Sequence, residues 1–145
     1  MAMLAMERIQ LGAKAKDKVD AIRLAGELLV SGGCVTSEYI EGMQERERSM
    51  STYLGVGVSI PHGMYENYTH IMRSGLSVLQ IPDGVEWEEG ENVYLVIGIA
   101  SSSDEHMHVL QSLAEALEDE EKLQLLIHTA DPQQVIDVLE GVSTE

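Results

Sequence analysis

The first third of the chain carries a helical pattern of hydrophobic and polar positions. Apolar residues after Asp17 recur on roughly one face of a helix, and Gly32-Gly33 ends the pattern. Asp17 is a plausible N-cap, and the two glycines suit a left-handed C-terminal cap. A second helix is predicted to begin at Thr36 or Ser37 and to end in the charged segment QERERS, residues 44–49.

The middle of the chain changes to the shorter period of strands. Val56, Val58 and Ile60 alternate with small residues, which predicts one strand. The segment GLSVLQI (75–81) alternates again, and Pro82-Asp83-Gly84 is predicted to close it as a turn. The nearly continuous apolar run VYLVIGIA (93–100) is typical of a strand that is buried on both faces.

The last third returns to helices. Ser103 or Asp104 is the expected N-cap of a helix whose apolar stripe runs from Met107 to Leu117. A short helix is predicted over about 120–128, and Asp131-Pro132 predicts the start of another. Two helices, then strands, then three helices predict a single α/β domain over residues 1–145. Its sheet is expected to be mixed parallel and antiparallel, with helices on both faces.

Composition and charge narrow the class of protein. The 145 residues are 44% hydrophobic but only 4% aromatic, with no Phe, so the core must be aliphatic. Nine basic and 25 acidic residues give a formal net charge of −16, which disfavours nucleic acid and anionic lipid surfaces. This charge serves solubility, or it presents an acidic face to a basic protein partner.

The cysteine count and the lack of long apolar runs suggest where the protein works. Cys34 is the single cysteine, so an intrachain disulfide is impossible and a cysteine-based metal site is not expected. The N-terminal residues are too charged for a signal peptide, and no run approaches ~18 apolar residues. We therefore expect no membrane insertion and a cytoplasmic location.

The stretch GVGVSIPHG (55–63) places one imidazole directly after a predicted strand. Pro61 fixes its own backbone angle and Gly63 removes bulk, so His62 would be open to approach. A neutral imidazole can attack phosphorus or bind a metal, because its pKa lies near 6.5. The alternative is a surface histidine in a turn.

Two more residues could bind an anion. His106 lies in the first turn of a predicted helix after a buried strand, where backbone N–H groups favour a phosphoryl group, although a capping-turn histidine is the simpler interpretation. Arg46 could reach a phosphate, or it could belong to a solvated helix face. His106 and His108 point in different directions on a helix, so a shared metal is not expected. His70 and His128 are interpreted as structural or exposed.

Five segments together resemble the enzyme IIA domains of the sugar phosphotransferase system, in the mannitol/fructose superfamily, with the mannitol-type branch closest. The resemblance covers nearly the whole chain. Its most specific part is the combination of TYLG, IPHG and a later EH that is followed by Leu and Ala at helical spacing. The five segments are DAIRLAGELLVSGGCVTSEYIEGM, RERSMSTYLGVGVSIPHG, SGLSVLQIPDGV, LVIGIA and EHMHVLQSLAEALED.

The resemblance implies a role for each candidate residue. His62 would be the phosphorylated residue, His106 would assist at the active site, and Arg46 would lie near the phosphoryl group. Similar proteins take the phosphoryl group from the phosphocarrier HPr and pass it to a cysteine of enzyme IIB, which serves the membrane enzyme IIC during sugar uptake. No metal or organic cofactor is implied. Val58 and Ile60 are expected to help build a shallow apolar docking surface beside the site.

Some features leave room for other functions. Mannitol-type relatives commonly have Thr after PHG, whereas this chain has Met64 and lacks that hydroxyl. A second hypothesis is a regulatory enzyme IIA-like protein, which acts by phosphorylation-dependent binding of other proteins. A third is a histidine-bearing metal-binding domain.

Overall fold

The computed structural model describes residues 3–101 and 104–142, except for the side chain of Tyr65. Four strands form one sheet in the order β1-β3-β4-β2. The central pair β3–β4 is antiparallel, whereas β1 pairs with β3 and β2 pairs with β4 in parallel. This arrangement confirms the predicted mixed sheet. The strands are β1 (Ile9–Gln10), β2 (Val58–Ser59), β3 (Gly75–Glu88) and β4 (Glu91–Ala100).

Five helices cover the two faces of the sheet, which confirms the predicted α/β class. Two precede the sheet core and three follow it, and short 3-10 helices occupy Met6–Arg8 and Tyr65–His70. Within the described residues, no helix combines the length and apolarity that crossing a membrane requires. The helices are α1 (Lys18–Ser31), α2 (Glu38–Ser49), α3 (His106–Glu118), α4 (Glu120–His128) and α5 (Pro132–Leu139).

Most helix ends follow the signals read from the sequence. The Asp17 side chain accepts a hydrogen bond from the Asp20 N–H, and Gly33 adopts φ +77° after α1. Asp131 caps α5 in the same way, through the Gln133 N–H. The prediction for α3 was wrong by one residue, because Glu105 rather than Asp104 occupies the N-cap position. Ser103 lies outside the described residues.

Two hydrophobic clusters sandwich the sheet. One cluster packs Leu76, Val78 and Ile97 against α3, α4 and α5, and it also contains Val58. The other cluster packs Leu79 and Ile81 of β3 against α1 and α2. Alternation along β3 therefore sends successive side chains to opposite helix layers. Val58 is fully buried, so the expectation that it helps form a docking surface was wrong.

Pro82-Asp83-Gly84 does not form the predicted turn. Strand β3 continues to Glu88, and its pairing shifts from Gln80–Leu95 to Val85–Val93, so extra residues on β3 bulge outward. Gly84 takes φ +77° in this bulge. The proline is tolerated because the bulge needs no ladder hydrogen bond from its nitrogen. The actual turn follows Glu88, with Gly90 at φ +79°.

The predicted strand from Val56 to Ile60 is shorter than expected. Val56 is 51% exposed and lies in a loop between Gly55 and Gly57, whose φ angles are +96° and +81°. The loop joins two extended segments, since the Leu54 N–H donates to the Val58 carbonyl and the Ile60 N–H donates to the Thr52 carbonyl. This arrangement leads the chain directly from α2 to His62.

Candidate active site

One cleft brings together all three residues that the sequence singled out. His62, His106 and Arg46 line a cavity of about 550 Å³ at the ends of β2 and β4. Ile60 also lines this cleft, as expected, together with exposed Met107. Residues 46, 62 and 106 come from three separate parts of the chain, so the fold, rather than sequence proximity, assembles the site.

The backbone around His62 fixes the orientation of its ring. Beyond β2 the chain stays beside β4, where the Ile99 N–H donates to the Pro61 carbonyl at 2.9 Å. The His62 Nδ1 lies 2.9 Å from the Ile60 carbonyl oxygen. A carbonyl only accepts, so Nδ1 carries the proton of the neutral ring. The lone pair is then on Nε2, which is the nitrogen available for nucleophilic attack.

Burial keeps both histidines of the cleft neutral. His62 is 7% exposed, and burial lowers its pKa to about 4, with smaller contributions from nearby His106 and Arg46. The hydrogen bond to the Ile60 carbonyl acts in the opposite direction. Burial followed by the Arg46 charge also lowers the pKa of His106. At neutral pH the His62 imidazole is therefore unprotonated at Nε2.

His106 begins helix α3 and faces His62. Their ring centroids are 4.7 Å apart, and the planes are tilted by 55°. The His106 Nδ1 lies 2.9 Å from the hydroxyl of buried Ser101, and the Tyr68 ring centroid is 6.4 Å away on another side. The two imidazoles are therefore neighbours in the cleft.

Arg46 supplies the positive charge of the cleft. It lies near the C-terminus of α2, and its guanidinium donates to the carbonyl of Met50, the C-cap residue. Its charge lowers the pKa of His62 and of His106, which places it within electrostatic reach of both rings. A guanidinium beside two neutral imidazoles suits the binding of an anionic phosphoryl group.

The sequence did not reveal the residues that hold the His62 loop. The buried Tyr39 hydroxyl accepts from the Gly63 N–H at 2.8 Å and donates to the Ile99 carbonyl at 2.8 Å. Burial raises the pKa of Tyr39, so this hydroxyl keeps its proton. Asn67 Oδ1 accepts from the Met64 N–H at 2.8 Å. These contacts fix the backbone on the far side of His62.

Two glycines allow this close packing. A Cβ at Gly63 would lie 2.5 Å from the Tyr39 ring, and one at Gly42 in α2 would overlap the Asn67 side chain. Glycine inside a helix is unfavourable, so Gly42 was the one available signal of a close contact. No signal distinguished Tyr39 from an ordinary helix residue.

The remaining histidines lie outside the cleft. His108 is exposed on α3, and His128 is exposed at the end of α4, where it contacts Gln124 at 3.1 Å. The His70 carbonyl accepts from the Thr36 N–H. Within residues 3–101 and 104–142, no three His, Cys, Asp or Glu side chains gather to hold a metal ion. Met64 lines the cleft at the position where relatives are expected to have Thr.

Taken together, the fold and the cleft define an α/β domain with two histidines and one arginine in a single cleft. A family model described as "Phosphoenolpyruvate-dependent sugar phosphotransferase system, EIIA 2" matches residues 2–142. The chain belongs to this family.

Two similar proteins of named function match nearly the whole chain. It is 39% identical over 143 residues to the mannitol-specific phosphotransferase enzyme IIA component of Geobacillus stearothermophilus, covering 99% of each. It is 41% identical over 141 residues to a multiphosphoryl transfer protein of Xanthomonas campestris, covering 97% of this chain. This chain spans only 17% of that longer relative's length.

A solved structure shares the fold closely. It is the solution structure titled as a complex of enzyme IIA and phosphorylated enzyme IIB of the mannitol system from Escherichia coli. Its matching chain has a TM-score of 0.89 and 42% identity, covering 95% of this chain and 97% of that one.

Proposed function

We propose that this protein accepts a phosphoryl group on His62 from phosphorylated HPr and passes it to a cysteine of a cognate enzyme IIB. The observation that carries this proposal is the neutral His62 ring, whose Nδ1 is hydrogen-bonded to the Ile60 carbonyl and whose centroid lies 4.7 Å from that of His106. Residues 1–145 act as one cytoplasmic domain of this kind. The resulting phosphoryl flow drives uptake of a sugar alcohol, most simply mannitol.

The first transfer is a direct displacement at phosphorus in which His62 is the nucleophile. The Nε2 lone pair of His62 attacks the phosphorus of the donor phosphohistidine, and a new N–P bond forms as the donor N–P bond breaks. The departing imidazole keeps the bonding electron pair. His62 needs no deprotonation step, because Nε2 carries no proton at neutral pH. In the second transfer, the thiolate of enzyme IIB attacks the same phosphorus and releases the His62 imidazole.

His106 and Arg46 stabilise the transferred group. The phosphoryl transition state spreads negative charge over its equatorial oxygens. The His106 ring is close enough to His62 to donate to one oxygen. The Arg46 guanidinium would exchange its Met50 carbonyl contact for another oxygen. His106 and Arg46 therefore act on the charge, while His62 forms the bond.

The named functions of similar proteins support the proposed phosphoryl acceptor and the proposed sugar. The solved relative from Escherichia coli is titled a complex with phosphorylated enzyme IIB, which makes enzyme IIB the natural acceptor here. The full-length relative from Geobacillus stearothermophilus is named mannitol-specific. We assign mannitol on this basis.

A labelling experiment tests the proposal directly. The protein is incubated with phosphoenolpyruvate, enzyme I and HPr, and incorporation of labelled phosphate is followed. We expect one phosphoryl group per chain, stable in base and lost in acid, and none in His62→Ala. Full labelling of His62→Ala would refute the assignment of the acceptor. His108→Ala, an exposed histidine outside the cleft, serves as the matched control and should label normally.

A second step separates transport from regulation. The phosphorylated protein is mixed with a mannitol-type enzyme IIB, and loss of label from His62 is measured. Prompt transfer supports the proposed transport role. Retention of the label, together with phosphorylation-dependent capture of another protein, would favour the regulatory alternative.

A further inference from the structure

A buried carboxylate lies immediately beside the cleft, one residue after Arg46. The Glu47 side chain is 3% exposed, although it belongs to the highly charged segment 44–49. Its Oε1 accepts from the Thr52 N–H at 3.0 Å and from the Thr52 hydroxyl at 2.5 Å. Its Oε2 accepts from the Trp87 indole N–H at 3.1 Å and lies 3.8 Å from the Lys18 ammonium. Four donor groups thus surround one carboxylate.

These contacts connect Glu47 to the His62 ring through Thr52 and Ile60. The Thr52 hydroxyl is 2.9 Å from the hydroxyl of buried Ser59, and the Thr52 carbonyl accepts from the Ile60 N–H at 3.1 Å. The Ile60 carbonyl is the group that orients His62 Nδ1. Movement of the Thr52 backbone would therefore shift the acceptor that selects the His62 tautomer.

We propose that Glu47 is a positioning residue of the phosphoryl-transfer site: by holding Thr52 and Trp87, it fixes the Ile60 carbonyl that keeps His62 Nε2 unprotonated. This inference rests on the proposed function of His62. The charge of Glu47 also opposes the lowering of the His62 pKa, which agrees with its closeness to the ring. Glu47 itself touches none of the reacting atoms.

The arrangement requires a carboxylate in particular. Every partner of Glu47 donates a hydrogen, and an ionised carboxylate only accepts. The amide of Glu47→Gln would bring its own N–H₂ group to face either Thr52 or the Trp87 N–H. A buried donor facing a donor loses its hydrogen bond, which is costly in a buried site. The variant should therefore loosen the segment from Thr52 to Ile60 without removing volume.

The test measures the His62 tautomer and the phosphoryl-transfer rate in the same variants. Nitrogen NMR of the unphosphorylated protein at neutral pH reports which His62 nitrogen carries the proton. We expect Nδ1–H alone in the wild type and a mixture of both tautomers in Glu47→Gln. The initial rate of phosphoryl acceptance from phosphorylated HPr should fall about tenfold, because misplacement of a reacting group by a fraction of an ångström is costly.

Two further variants make the test specific. Glu45→Gln removes the same charge from an exposed position of α2 and should leave both the tautomer and the rate within about twofold of wild type. The double variant Glu47→Gln/Trp87→Phe removes the opposing indole donor, so the amide oxygen can face Thr52. We expect it to recover to within about threefold of the wild-type rate.

The outcomes distinguish this inference from the proposed function. A Glu47→Gln protein that is less heat-stable, yet keeps the Nδ1–H tautomer and the wild-type rate when folded, would show a merely structural role and overturn the inference. The lack of rescue in the double variant, with the single variant impaired, would also contradict it. If the wild type takes no label on His62, the proposed function fails, while the tautomer measurement still decides the role of Glu47.

Discussion

The wall of the cleft that carries His62 is held by buried hydrogen bonds, whereas the wall that carries His106 is half exposed. On the first wall, Tyr39 and Asn67 fix the backbone that follows His62, and the Ile60 carbonyl orients its ring. On the second, His106 contacts the Ser101 hydroxyl, and the next residue, Met107, is 73% exposed. The rigid wall suits a nucleophile, and the open wall suits contact with successive protein partners.

Gly63→Ala should break the rigid wall with the largest effect. The new Cβ would meet the Tyr39 ring at 2.5 Å, so either the ring or the His62 loop must move. We expect phosphoryl acceptance, measured by rapid quench, to be about 100-fold slower. We also expect denaturant unfolding to show a loss of about 2 kcal/mol of folding stability. Gly141→Ala, which has open space around it, is the control and should change neither.

Acid should weaken the rigid wall because His62 is buried as the neutral form. Its pKa is about 4 when folded and about 6.5 when unfolded, so between these values the unfolded chain binds the extra proton. The free energy of unfolding is therefore unaffected by His62 above pH 6.5. It falls by about 3 kcal/mol in all as the pH drops from 6.5 to 4.

Denaturant unfolding of wild type and His62→Gln across pH 4 to 7 tests this prediction. The wild type should lose more stability than the variant over that interval, because the other titrating groups are common to both proteins. Parallel stability curves would mean that His62 is not buried as the structure has it.

His106→Ala tests the open wall and should have a smaller effect. Removing one donor to the phosphoryl oxygens should slow acceptance about tenfold, while His62 is still labelled to completion. Folding stability should hardly change, since the His106 side chain is only partly buried. The exposed His108 on the same helix provides the comparison, and equal rates for His106→Ala and His108→Ala would remove His106 from the mechanism.

Met107→Ser should have the smallest effect and should act on partner binding alone. This side chain lines the cleft and is 73% exposed. We expect about a threefold higher KM for phosphorylated HPr at unchanged kcat, because single contacts at an interface are often weak. A fall in kcat instead would mean that the open wall also orients the reacting groups.

The same contrast explains what the sequence could predict. Helix α1 was predictable because its capping Asp17 and terminating glycines act locally, and β4 was predictable from its long apolar run. Pro82-Asp83-Gly84 misled because turn-forming residues also suit a bulge, and only pairing with β4 distinguishes the two. Strand β1 has two residues, too few for any periodicity.

The candidate site was predictable in part, for a related reason. His62, His106 and Arg46 carry motifs that resemble a known family, and the cleft unites them. Tyr39 contacts Gly63 and Glu47 contacts Trp87 across 24 and 40 residues of the chain, and no local pattern encodes such contacts. Asn67 contacts the Met64 N–H only three residues away, so this was a local signal that the sequence analysis missed. Glu47 in particular lies in a segment that reads as a solvated helix end, yet its side chain is buried.

The most direct test is to identify the nitrogen that carries the phosphoryl group. Protein labelled with ¹⁵N at histidine is phosphorylated through HPr, and coupling between ³¹P and the ring nitrogens is measured by NMR. Because the Ile60 carbonyl holds the proton on Nδ1, the coupling should appear at Nε2 of His62. Coupling at Nδ1 of His62, or at either nitrogen of His106, would contradict the mechanism.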